Sequence, residues 1–75
     1  MTYEEMRRKV VVAYRLVSVD TRTFTGVVVV QSADVRDVDR ERERIRETAP
    51  AYYLLQQMVF SDGTVSPGMS FSKGA

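Results

Sequence analysis

Two apolar runs dominate the first half of the chain: Val10-Val11-Val12 and, after a short polar break, Gly26-Val27-Val28-Val29-Val30. From Lys9 to Val19 the residues are mostly β-branched or aromatic, a composition that fits a pleated surface. A period of two places Val10, Val12, Tyr14 and Leu16 on one face, and Val11, Ala13, Arg15, Val17 and Val19 on the other. Asp20-Thr21-Arg22 has the chemistry of a loop. Thr23 to Ser32 then reads as a second strand, so residues 9–32 are expected to form a β-hairpin. Within it, Val28 and Val30 are expected to point one way, and Val27 and Val29 the other. Upstream, Thr2 and Glu5 have capping-box spacing, which predicts a short helical turn over residues 2–8.

The period changes at Asp34. Residues 34–48 read as a helix: Asp34 caps it, Asp37 places an acid in the first turn, and Pro50 disfavours helical geometry at Ala49. At 100° per residue, Val35, Val38, Ile45 and Ala49 share a narrow apolar stripe that includes Arg42. Arg36, Arg40 and Arg44 form an i, i+4 ridge on the far side, with Glu43 and Glu47 beside it.

Residues 51–60, Ala-Tyr-Tyr-Leu-Leu-Gln-Gln-Met-Val-Phe, come in doublets that suit neither a clean strand nor a clean helix. Pro50 could open a second helix at its first position. A strand is favoured because Asp62-Gly63, a hairpin turn signal, follows directly. On a strand the Tyr52 and Tyr53 rings point to opposite faces. Val65 is expected to begin a short return strand stopped by Pro67-Gly68. Met69 and Phe71 alternate with Ser and read as a last edge strand or a tail over residues 66–75.

The expected fold is therefore α+β: a small antiparallel sheet in β-β-α-β-β order with one amphipathic helix packed on one face. One helix covers one face of such a sheet, yet the valine strands are apolar on both. The second face is expected to be an association site.

Length sharpens that expectation. Seventy-five residues make one domain, 1–75, and a chain this small buries only about 60–65% of the surface its unfolded form exposes. Small domains compensate with disulfides, metals or oligomerisation. Cysteine and histidine are both absent, which removes disulfides and the commonest transition-metal ligand. A homodimer, or docking on a larger partner, is what remains.

The same two absences thin out the chemistry. Ser-His and Cys-His nucleophiles are impossible, and no Asp or Glu lies in an apolar run that would raise its pKa for acid-base work. No catalytic residue, metal ligand or cofactor is expected. Asp37-Val38-Asp39-Arg40-Glu41 has a superficial likeness to a calcium loop, but Arg42 stands where such a loop needs Gly. Gly63 and Gly68 are followed by no Lys-Ser or Lys-Thr pair, so they read as turn residues rather than a phosphate cradle.

Net charge is +1, so no global field steers the chain to nucleic acid or membrane. No apolar run reaches the length of a membrane span. Met-Thr-Tyr-Glu-Glu-Met-Arg-Arg lacks the apolar core of a signal peptide, so a cytoplasmic location is the expectation. Nine of the eleven basic residues are Arg. Lys9, Arg15, Arg22 and Phe24, with Tyr14 nearby, give the first hairpin aromatics interleaved with cations, a pattern that suits nucleic acid. Against it, Glu43 and Glu47 interrupt the helix ridge, and the pI of 8.1 is below that of a convincing basic footprint. Tyr14, Phe24, Tyr52, Tyr53, Met58 and Phe60 are expected mostly in the core.

The sequence thus points to a non-enzymatic binding protein that occupies a protein partner's surface, with Arg36, Arg40, Arg44, Tyr52 and Tyr53 as partner-binding residues. Size and Arg-rich style invite analogy with phage or mobile-element accessory proteins that inhibit or modulate a host complex. A nucleic-acid-binding protein using the 9–32 hairpin and a structural subunit of a larger assembly are the alternatives.

Overall fold

Four strands and one helix follow one another as β1 (Val11–Asp20), β2 (Thr25–Ser32), α1 (Val35–Thr48), β3 (Tyr52–Phe60) and β4 (Met69–Lys73), in a computed structural model that describes residues 10–74. All strand pairings are antiparallel, in the spatial order β2-β1-β3-β4, and α1 lies across β2, β1 and β3. This is the α+β fold expected from the element order. The helical turn expected over residues 2–8 lies outside the described residues.

The core forms where α1 meets the two central strands. Leu16, Leu54 and Val38 are fully buried, ringed by Tyr14, Val30, Ile45, Tyr52 and Phe71. Each buried leucine contributes about 1.5–3 kcal/mol relative to exposure. Val38 comes from the middle of the predicted stripe, and Val35, Ile45 and Ala49 flank it half-buried. Asp34 caps the helix as expected: its Oδ1 accepts the Arg36 N–H at 2.9 Å. Arg42, the cation within the stripe, reaches past α1 to β4. Its guanidinium lies 4.6 Å from the Phe71 ring centre and donates to Asp39 at 3.2 Å and to the Gln56 side chain.

The register departs from strict alternation twice. Val11 pairs with Phe60 but Ala13 with Val59, so Val12 is an extra residue and Val11 and Ala13 lie on opposite faces. Across β1 and β2, Leu16 pairs with Val30 but Val17 with Val28. Val29 is the extra residue there, and Val28 and Val30 point opposite ways rather than together. Alternation read from a valine run cannot show a bulge, because every position is the same residue.

Two expected boundaries shift at the turns. The first loop runs through residues 21–24, and β2 starts at Thr25, not Thr23. Within the loop the Phe24 N–H donates to the Asp20 carbonyl at 2.7 Å, and Phe24 takes a left-handed φ of +56°. Its ring is 84% exposed, so the expectation of a core role fails for this aromatic. The Asp62-Gly63 turn forms as its chemistry predicts: Gly63 has φ +85°, and Asp62 Oδ1 accepts from the Thr64 N–H and hydroxyl at 2.9 and 2.6 Å. The return from that turn is not a strand starting at Val65, which makes a single bridge to Val59. The chain turns once more at Gly68 (φ +83°), and the last strand is β4, over Met69–Lys73. Pro50 opens no second helix; residues 52–60 are the strand β3.

Candidate functional site

The face of the sheet opposite α1 carries no described element. Cross-strand pairs share a face, so the register maps its surface row by row. One row, Val28–Val17–Leu55–Ser70, runs across all four strands. Beside it run Gly26–Val19 and Tyr53–Ser72, and on the other side Ala13–Val59. Gly26 is required here: a Cβ on it would meet Val17 Cγ1 at 2.8 Å. The surface is apolar, with Val28 47% and Tyr53 36% exposed.

One polar row crosses it, Gln31–Arg15–Gln57. Arg15 Nε donates to Gln57 Oε1 at 2.8 Å, and the pair is part-buried. Among the described residues Arg15 is the one arginine with no carboxylate within ion-pair distance, while Arg22, Arg36, Arg40, Arg42, Arg44 and Arg46 each have one. A guanidinium has five donors, and the Gln57 bond uses one. A cation set in an apolar surface with donors to spare fits a carboxylate supplied from outside.

The residues predicted to bind a partner are divided by the fold. Arg36, Arg40 and Arg44 stand on the solvent side of α1, with side chains 82%, 78% and 62% exposed. Each is paired locally. Arg36 meets Asp34 at 2.9 Å, Arg40 meets Asp37 at 3.6 Å, and Arg44 meets Glu41 in a close contact. The Arg36 hydrogen bond holds Asp34 below its ordinary carboxylate pKa, and the Arg44 hydrogen bond does the same for Glu41. Tyr52 lies on the α1 face against the core, and Tyr53 on the opposite face, the split expected of a doublet on a strand.

The hairpin constellation is divided too. Tyr14 packs beneath α1 while Arg15 lies on the open face. Lys9 lies outside the described residues, and of the others only Arg22 and Phe24 remain together, at the β1–β2 tip. An open cleft of about 480 Å³ lies near that tip, bordered by Asp20, Arg22, Tyr52, Tyr53 and Lys73. Its charges are of both signs.

The acids of the calcium-like stretch are engaged separately. Asp37 accepts from the Ser32 hydroxyl at 2.7 Å, Asp39 takes Arg42 and the Gln56 amide, and Glu41 takes Arg44. Among the described residues no group of three acids is placed to hold a metal, and no helix is long and apolar enough to cross a membrane.

Arg15 was singled out only as a cation of the hairpin that suits nucleic acid, and not among the residues expected to bind a protein partner. The signal was present: it is the one charged position in the alternating set Val11, Ala13, Arg15, Val17, Val19. What the sequence lacked was the register that brings Gln57 beside it and leaves acids elsewhere. Among the described residues, fold and surface together define a small α+β arrangement in which one helix covers one face of a four-stranded antiparallel sheet. No family model, curated protein or solved structure matches the chain.

Proposed function

We propose that this chain is a protein-binding module whose docking surface is the open face of its sheet, with Arg15 as the polar anchor. The observation that carries the reading is part-buried Arg15, without an acidic partner among the described residues, in a surface of Val19, Val28, Leu55 and Tyr53 laid over buried Val17. Arginine and tyrosine are the residues most enriched in the energetic centres of interfaces. The partner chemistry that fits is an apolar patch presenting one carboxylate. The protein acts by occupying that patch.

The helix ridge supports the reading less, because its arginines already hold acids in exposed local pairs of little energetic weight. The test is affinity capture from the source cell with three forms of the chain: wild type, Arg15→Ala with Tyr53→Ala, and Arg36→Glu with Arg40→Glu and Arg44→Glu. A partner retained by the ridge variant and lost by the face variant is expected. Retention by the face variant and loss by the ridge variant would move the docking surface to α1. Circular dichroism of each variant checks that the fold is intact.

A further inference from the structure

The two edges of the sheet are built differently. β4 is short, ends in Lys73 and follows Pro67. Short length, an edge lysine and a nearby proline are the usual devices that keep an edge from pairing with another chain. β2 has eight residues, Thr-Gly-Val-Val-Val-Val-Gln-Ser, with no charge and no proline. Nothing among the described residues pairs with its outer side. Val27, Val28 and Val29 along it are 65%, 47% and 41% exposed.

We propose that β2 pairs with β2 of a second copy, antiparallel, to give a continuous eight-stranded sheet. The strand is self-complementary about the Val28–Val29 step. Antiparallel pairing centred there sets Thr25 against Ser32, Gly26 against Gln31 and Val27 against Val30 of the second copy. Like chemistry meets like chemistry at the threonine-serine and valine-valine positions.

The faces agree as well, and the bulge is the reason. Thr25, Val27, Val30 and Ser32 lie on the α1 face, while Gly26, Val28 and Gln31 lie on the open face, because Val29 interrupts the alternation. A regular strand of eight residues paired about its centre would set opposite faces against each other. With the extra residue at the centre, each outer pair joins side chains on the same face. A bulge ordinarily twists an edge away from partners. Placed on the two-fold axis, it twists both halves equally and restores the match. The interface is isologous and closed, the commonest form of homodimer.

The turn that precedes the strand adds exposed groups at the same rim: Phe24 is 84% exposed, and the Arg22 side chain is 92% exposed. The pairing leaves both open faces uncovered and joins them into one wider surface. It stands independently of what binds that surface.

The experiment is sedimentation across a micromolar dilution series, with wild type, Val27→Lys and Tyr53→Glu compared, and amide hydrogen exchange on the wild type. Val27 is at the edge and on the α1 face, and Tyr53 is on the open face away from the edge. Val27→Lys is expected to weaken dimerisation at least about tenfold, while Tyr53→Glu leaves it unchanged. Protection of β2 amides is expected to rise with protein concentration. A wild type that stays monomeric overturns the proposal. So does a dimer broken by Tyr53→Glu and kept by Val27→Lys, which would mean that the faces associate instead. A dimer that forms normally while partner capture fails would overturn the docking-face reading and leave the edge pairing intact.

Discussion

Phe24 shows how much one residue's backbone can carry. Left-handed φ is open to Gly and Asn at little cost, but a bulky side chain there is strained by about 1–3 kcal/mol. With its ring exposed, Phe24 recovers little of that by burial within its own chain. Phe24→Asn is therefore expected to stabilise the monomer by about 0.5–1 kcal/mol, read as a higher urea midpoint at concentrations low enough to exclude association. A lower midpoint would show that the ring supports the hairpin. Residue-scale features were legible from sequence where the cause is local. Asp34 as a cap and Asp62-Gly63 as a turn need only their neighbours. Arg15 and Phe24 were not legible, because what sets them apart is distant: the register for Arg15, the absence of a covering surface for Phe24.

Elements were legible to the extent that composition separates them. The 34–48 helix follows from its cap, stripe and terminating proline, and β3 follows from the turn after it. The stretch after Gly63 was harder. Val65 has the composition of a strand start, but the chain there makes one bridge and then turns at Gly68 before β4 forms. Gly68 is what allows the turn. It combines a left-handed φ with a backbone so close that a Cβ would lie 2.5 Å from the Gln56 carbonyl oxygen. Gly63 has a similar φ but nothing within 4 Å of its missing Cβ. Gly63→Ala is expected to cost about 1 kcal/mol, and Gly68→Ala clearly more, with loss of protection at β4 amides. Urea titration and hydrogen exchange on both variants measure this, and equal costs would show that only φ matters.

At the scale of the molecule, the balance of one helix against four strands among the described residues was visible in the chain, and so was the prospect of an uncovered face. The spatial order was not, since pairing β1 with β3 across the intervening helix is a non-local choice. Stability rests on a narrow base. Among the described residues only Leu16, Leu54 and Val38 are wholly buried, all under α1. Leu54→Ala is expected to cost about 2–5 kcal/mol, against a total of about 4–11 kcal/mol for a chain of this size. Its urea unfolding curve should show a midpoint far below wild type, and a near-normal one would place the stability elsewhere.

The helix stops short of β4, and Arg42 fills the gap, with its guanidinium over Phe71. β4 is thus held by one neighbouring strand, one half-buried ring and one long flexible side chain. Elements with so few buried contacts open locally before the rest of a domain does. The two rims of the sheet consequently differ in kind. One is a long, uncharged strand with no described neighbour on its outer side. The other is closed by a strand that can lift away, baring the hydrogen-bonding groups of β3 for as long as it is gone.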